Sequence, residues 1–340
     1  MLRLLGIILA VLTAAVAAAL TWPSFFRVDQ LFPVAQIIAF RAILLVALGA
    51  LALFGLLLAL IRPLRLFALS IAVIAIVAVA ANGLIIAGHG MGTESLPPKT
   101  DSAVRVMTWN TAGSATSPES VAQIAVAMDA DIVTLPETTI ETGEAVALAM
   151  RDLGHRMWAY HDEFGENGWD ARSTTLLISP DLGDYAVIES SVQGTTNTST
   201  VPSAVAMPVD GDGPTVVAAH AVAPRQQYMA HWRDDLSWLA DQCGQDENVI
   251  LAGDFNATLD HMGRLGVDGG TLGHCHDIAS ETGNGSVGTW PTNLPALLGA
   301  PIDHVMASEN WVATGSIVLR SLDGSGSDHR PLIVQLEPAG

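Results

Sequence analysis

The stretch Val249-Ile250-Leu251-Ala252-Gly253-Asp254-Phe255-Asn256 is an apolar run that breaks into two polar residues. Four apolar residues followed by a polar break read as a buried strand, Val249–Ala252, leading into Asp254. The same pattern recurs along the chain. Val104–Trp109 alternates like a strand and is followed by Asn110. Asp131–Leu135 runs through Pro136 into Glu137, and Thr215–Ala219 ends at His220. Ile302–Ala307 carries Asp303 near its start, and Ser327-Asp328-His329-Arg330-Pro331 precedes the strand Leu332–Leu336. Ser173–Ser179 and Ala204–Val209 complete the predicted strands. Helices are expected over Ser117–Met128, with Pro118 in the first turn, and over Glu141–Leu153 and Gln226–Gln242. Strands and helices mix without strict βαβ alternation. That points to two sheets packed face to face with helices outside.

Carboxylates and an amide suit a hard cation, and two imidazoles suit proton handling or charge stabilisation. Each element alone has a plainer explanation. Gly-Asp-x-Asn is usually a turn, a histidine after an apolar strand is usually structural, and Ser-Asp-His makes an Asx-type turn. Their order and joint presence carry the signal.

These ordered motifs resemble the endonuclease/exonuclease/phosphatase superfamily, metal-dependent hydrolases that include DNase I, abasic-site endonucleases, sphingomyelinases and inositol-polyphosphate 5-phosphatases. The resemblance covers Val104–Leu336, with Gly-Asp-Phe-Asn and the terminal Ser-Asp-His its most specific parts. It implies a DNase I-like four-layer α/β/β/α sandwich of the α+β type. It implies Mg²⁺ or Mn²⁺ held by Glu137, with Asn110 and Asp328 at the metal. Asp254 would orient or activate the attacking water, and Asn256 would bond that water or a phosphate oxygen. His220 would donate to the phosphate or the leaving group. His329 would stabilise developing charge, held in its tautomer by Asp303. The chain departs from the family in carrying Pro136 where glutamine often precedes the metal-binding glutamate. No firm counterpart of the family's mid-domain basic or aromatic phosphate contact stands out. Arg172 and Arg225 are candidates for it, each also readable as a solvated loop arginine. Trp290 in Gly-Thr-Trp-Pro matches a packing feature of the family.

The N-terminal part is different in kind. Leu4–Leu20, Ala42–Ile61 and Leu66–Gly88 are uncharged apolar stretches, each close to the roughly 20 residues that cross a bilayer core as helix. A signal peptide explains the first but not the other two. Arg62 and Arg65 flank a tight loop, and basic loops stay cytoplasmic. That places the N-terminus inside and brings the chain out after Gly88, although Arg27 and Arg41 weigh the other way. The expected organisation is a three-helix membrane region over 1–88, a linker over 89–103 rich in Gly, Ser, Thr and Pro, and a catalytic domain over 104–340 on the extracytoplasmic side of the cell membrane.

Charge narrows the partners. The first hundred residues hold six basic and two acidic residues, which leaves nine basic against 32 acidic residues after them. Proteins that bind long nucleic acid draw affinity from neutralising phosphate, so strong non-specific nucleic-acid binding is disfavoured. The expected partners are the lipid bilayer and a phosphoester substrate, a lipid headgroup or a small phosphorylated metabolite. An extracellular-facing nuclease and a catalytically inactive, membrane-tethered binding module are the alternatives. Retention of all eight site residues argues against the second of these. Cys243 and Cys275 either form a disulfide outside the cytoplasm or stay buried as thiols. His274-Cys275-His276 reads as an ordinary loop or, less simply, a short zinc cluster.

Overall fold

The computed structural model describes all residues but Met1, Glu94, 166–168, 189–196 and Asp246. The chain divides into two compact units, Met1–His89 and Gly90–Gly340.

The first unit is helical: α1 (Leu2–Thr21), a short α2 (Val34–Ala39), α3 (Arg41–Leu58) and α4 (Arg65–His89). Among the described residues three helices, within Arg3–Thr21, Arg41–Leu58 and Arg62–His89, are long and apolar enough to cross a membrane. Helices α3 and α4 meet through small residues. A Cβ on Gly55 would lie 3.0 Å from the Ala68 carbonyl oxygen and 3.1 Å from the Ala72 side chain. Such close backbone approach is how helices associate where lipid removes the hydrophobic driving force. Polar groups inside this unit pair with one another. Arg41 Nη1 donates to Asn82 Oδ1 (2.5 Å), and Asn82 Nδ2 donates to Thr21 Oγ1 (3.0 Å). Arg41, which reads from the sequence as a flank of the second span, is therefore buried against the third.

The second unit holds two six-stranded sheets. Sheet A is ordered β11-β12-β1-β2-β4-β3 and sheet B β5-β6-β7-β8-β10-β9. The strands are β1 (Val104–Thr108), β2 (Ile132–Pro136), β3 (Trp158–Glu163), β4 (Ser173–Ile178), β5 (Tyr185–Val187), β6 (Ala204–Pro208), β7 (Thr215–His220), β8 (Val249–Asp254), β9 (His276–Asp277), β10 (Asp303–Ala307), β11 (Trp311–Val318) and β12 (Leu332–Pro338). In each sheet one central pair is parallel, β1 with β2 and β7 with β8, and the other pairings are antiparallel.

Strand alternation explains the layers. Val106, Ile132, Leu176 and Val334 point into the core between the sheets, where they meet Val216, Ile250 and Val305. Their neighbours Met107, Val133, Leu177 and Ile333 point the other way, onto α5 (Pro118–Ala127) and α6 (Ile140–Asp152) through Val121, Ala125, Val146 and Met150. Both helices begin as side-chain caps dictate. Ser117 accepts from Ser120 N ahead of Pro118, and Thr139 accepts from Thr142 N. Helix α7 (Met229–Gln242) buries Trp232, Leu236 and Leu239. Two short helices, α8 (Leu259–Met262) and α9 (Ile278–Glu281), follow. The result is the DNase I-like α/β sandwich that the motifs imply.

Residues 89–103 read from the sequence as a flexible linker, yet Gly92, Thr93, Pro97 and Pro98 are bonded along the second unit. Gly92 N donates to Gly283 O, Asn284 Nδ2 to Thr93 Oγ1, Arg105 Nη2 to Pro97 O and Gln335 Nε2 to Pro98 O. Proline-rich chain is stiff and extended, so laying it along a domain costs little entropy. Cys243 and Cys275 form a disulfide, with Cα atoms 5.5 Å apart. That excludes a zinc site using Cys275, and His276 faces Glu281 (3.5 Å) instead.

Gly253 explains one letter of the opening motif. It pairs with Ala219 across the parallel strands β7 and β8, and a Cβ there would sit 1.8 Å from the Ala219 carbonyl oxygen. Gly253→Ala is expected to cost at least about 3 kcal/mol, the upper end for overpacking a core. A denaturation midpoint equal to wild type would show that the two strands do not approach this closely.

Candidate active site

The strand pairings bring the sequence motifs to one end of both sheets. β7 and β8 run parallel with His220 opposite Asp254, while β10 runs antiparallel to β8 with Asp303 opposite Asp254. Asn110 and Glu137 follow the ends of the parallel strands β1 and β2, and His329 precedes β12, which lies against β1. Two loops are then tied together. Ser327 Oγ donates to Asn110 O (2.6 Å) and accepts from His329 N (3.0 Å), and Trp109 Nε1 donates to His329 O (2.9 Å).

The Asn110 side chain stands at the centre. Its Nδ2 donates to Glu137 Oε1 and to Asp254 Oδ2, each at 3.1 Å, and its Oδ1 accepts from Ala112 N. Two carboxylates are thereby held on either side of one amide. Asn256 braces the second of them. Its backbone N donates to Asp254 Oδ1 (2.8 Å), and its Nδ2 donates to Asp254 Oδ2 (3.2 Å) and Ala221 O (3.0 Å). Both amide protons of Asn256 are thus spent on positioning. Glu137 and Asn256 have φ of 56° and 48°, in the left-handed region that non-glycine residues rarely occupy. Such strain concentrates where a surrounding structure holds functional groups in place.

His329 lies between two acids. Its Nδ1 is 2.8 Å from Asp303 Oδ2 and its Nε2 is 3.8 Å from Asp254 Oδ2. Burial drives this imidazole down, but the charges of Asp303 and Asp254, the Asp303 hydrogen bond and Asp328 outweigh burial and lift it to about 10. It is an imidazolium at neutral pH. Asp254 is pushed up to about 7 by burial first and by Asp303 next, with His329 pulling the other way. His220 is lowered to about 3, by burial and then by the His329 charge, against Asp303. It is a neutral imidazole. Thr174 Oγ1 gives its proton to Pro202 O at 2.7 Å, so the 3.4 Å contact from His220 Nδ1 makes Nδ1 the donor. Nε2 of His220 is left as the proton acceptor.

Asp254, Asp303 and His329 form a buried group whose ligand atoms lie within 4.8 Å of one another, a possible metal site. Among the described residues the buried Asp303 Oδ1 has no hydrogen-bond partner. With Glu137 and the Asn110 amide beside them, the donors are mostly hard oxygens. That chemistry fits Mg²⁺ or Mn²⁺ better than a soft thiophilic metal.

The other sequence candidates are placed as follows. Asp328 is exposed, and its Oδ2 accepts from Trp290 Nε1 (2.8 Å), which makes Trp290 a brace for that loop. Arg330 is buried, pairs with Asp323 (2.6 Å) and donates to the carbonyls of Gly288, Pro291, Thr292 and Leu294. Arg225 is exposed at the start of a turn before α7, while Arg172 stands on the loop before β4.

One pair escaped sequence reading. His304 Nε2 donates to Ala257 O (2.9 Å) and its Nδ1 faces Asp277 Oδ2 (2.7 Å), both residues being buried. A carbonyl can only accept, so this ring needs a second proton, shared with Asp277. The pair anchors the loop that carries Asp254 and Asn256. The available signal was strand alternation, which turns His304 away from Asp303.

A family model described as the endonuclease/exonuclease/phosphatase family matches residues 107–329, from β1 to His329. The chain belongs to that family. Solved structures with the same fold include an endonuclease/exonuclease/phosphatase from Beutenbergia cavernae, at TM-score 0.54 and 18% identity over 70% of this chain and 72% of that one. A humanised D. rerio TDP2 carrying 14 mutations gives TM-score 0.52 and 16% identity over 70% of this chain and all of the other. A family protein from Leptotrichia buccalis gives 0.52 and 11% over 69% and 99%. At these identities the likeness is one of fold. No curated protein matches by sequence. Members of the family are generally phosphoester hydrolases and typically depend on a divalent metal.

Proposed function

We propose that this chain is a membrane-anchored, divalent-metal-dependent hydrolase of phosphoester bonds whose catalytic unit faces out of the cytoplasm. The observation that carries the reading is the Asn110 amide held between Glu137 and Asp254, beside a His329 kept charged by Asp303. Glu137, with Asn110 bonded to it and Asp328 from the loop before His329, would hold Mg²⁺ or Mn²⁺. When bound, the cation neutralises phosphate charge and acidifies water.

The chain's own residues supply the rest. Asp254, fixed by Asn110 and Asn256, accepts a hydrogen bond from the attacking water and takes its proton. His329 places a fixed positive charge against the oxygens on which charge builds, and Asp303 holds its ring in place. Preorganised charge in a buried site needs no rearrangement as the reaction proceeds. Neutral His220 offers Nε2 as a relay for the proton that must reach the leaving oxygen.

The side of the membrane rests on two supports. The basic Arg62–Arg65 loop favours a cytoplasmic position for that turn. The Cys243–Cys275 disulfide suits an oxidising compartment. The acidity of the catalytic unit favours a small phosphoester or lipid headgroup over long nucleic acid. The full chain in detergent is expected to hydrolyse bis-p-nitrophenyl phosphate with Mn²⁺ or Mg²⁺ and to lose the activity in EDTA. Undiminished hydrolysis in chelator would refute the metal role.

A further inference from the structure

Beneath the catalytic groups the layer between the two sheets turns polar. In β1, Val106 faces that layer, so Thr108 does too, and in β2 Thr134 follows Ile132 in the same way. The two threonines are register partners on parallel strands, and both are fully buried. Among the described residues neither hydroxyl has a hydrogen-bond partner. Thr174 of β4 makes the contrast: two residues from the inward Leu176, it gives its proton to Pro202 O at 2.7 Å.

Sheet B lays a polar row of its own against these threonines. β1 packs against β8 and β10, and β2 against β7 and β8. His220, Asp254 and Asp303 stand in register across β7, β8 and β10, on the face that Ala218, Ala252 and Val305 mark as inward. Asp303 spends Oδ2 on His329 Nδ1 (2.8 Å), while its buried Oδ1 likewise lacks a partner among the described residues.

A buried polar group left unpaired is costly, and native proteins pair nearly all of theirs with protein or with ordered water. The donors and acceptors here suit one water. Two hydroxyls donate to its lone pairs, and one of its protons goes to the carboxylate oxygen. That makes three bonds, the usual number for a buried water. The spacing suits it as well. Packed sheets lie about 10 Å apart. Hydroxyl and carboxylate each reach part-way across, and one water making two bonds of about 2.8 Å spans the rest. We infer that Thr108 and Thr134 hold one ordered water that donates to Asp303 Oδ1. Asp303 is then fixed at both oxygens, and the ring of His329 with it. The two threonines are positioning residues, acting through Asp303 and not on the reacting atoms. Oδ1 of Asp303 belongs to the water, which leaves the cation to Glu137. Only the kinetic consequence rests on the hydrolase reading.

Two measurements on the full chain in detergent decide the matter. The first is the thermal midpoint followed by near-ultraviolet circular dichroism, which needs no activity. Thr108→Val and Thr134→Val keep the side-chain shape and remove a hydroxyl. Each is expected to lower the midpoint by about 2 to 4 °C, and the double variant by little more than one of them, because both lose the same water. Midpoints that rise or stay put would mean hydroxyls buried unpaired, and fully additive losses would mean separate partners; either result overturns the inference. The second is kcat on bis-p-nitrophenyl phosphate with Mn²⁺. Thr108→Val is expected to lower kcat about tenfold, less than the roughly 10²-fold cost of a 1 Å misplacement, with KM and the half-activating Mn²⁺ concentration unchanged. Thr108→Ser, which keeps the hydroxyl, recovers most of that loss. An unchanged kcat in Thr108→Val removes the positioning role. A raised Mn²⁺ requirement that saturating metal overcomes assigns Asp303 Oδ1 to the cation instead. If wild type cleaves no diester, the hydrolase reading fails, and the midpoints alone judge the water.

Discussion

His329→Ala is expected to lower kcat on any phosphoester by about 10² to 10³, the usual cost of removing one preorganised stabiliser of developing charge. KM should change little, because the imidazolium is matched to charge that appears only during the reaction. Three acids surround the ring: Asp303 at 2.8 Å, Asp254 at 3.8 Å and Asp328 beyond. With His329 lifted to about 10, its charge persists through neutral and mildly alkaline pH. Removing it leaves two buried carboxylates facing one another without a cation. Asp303→Asn should act in the same direction by a smaller factor, since it frees the ring without deleting it. Steady-state kinetics on the three proteins, with circular dichroism to show that each is folded, separates these effects. A kcat within a few-fold of wild type for His329→Ala would remove the histidine from the chemistry.

The second large effect is expected at Glu137. Glu137→Gln preserves shape and the neighbouring Asn110, but removes the charge that would hold the cation. Changing partners that only support a metal ligand weakens binding about 10- to 100-fold, and a direct ligand should cost at least the upper end of that range. The Mn²⁺ concentration giving half-maximal activity should rise accordingly, while activity at saturating metal recovers in part. Metal titrations of wild type and variant decide the point. Superimposable titrations would mean that the cation is held elsewhere, around Asp254 and Asp303.

The sequence carried the parts of this molecule that repeat a simple pattern. The apolar run Val249–Ala252 and the alternating Val104–Trp109 read as strands, and a polar residue beyond each one marked the site. The three helices long and apolar enough to cross a membrane were legible because uncharged helices of such length have few other uses. The strands that stayed hidden lack that signature. β3 is a partly buried edge strand of mixed polarity, β5 has three residues, and β11 is Thr-, Gly- and Ser-containing with a register shift between Ala313 and Gly315. At the site, residue types were legible but their partners were not. That Asn110 bridges Glu137 and Asp254, and that both Asn256 amide protons are occupied, depends on loops from four strands meeting in space. The Cys243–Cys275 pairing and the bonds that Gly92, Thr93, Pro97 and Pro98 make to the second unit are likewise long-range facts.

The most direct test is hydrolysis of bis-p-nitrophenyl phosphate by the purified full chain, run beside Asp254→Ala, with Mn²⁺ present and then with EDTA. Turnover that requires Mn²⁺ and disappears in Asp254→Ala is the expected result. Equal rates for wild type and Asp254→Ala under both conditions would contradict a catalytic site built on Asn110, Glu137, Asp254 and His329.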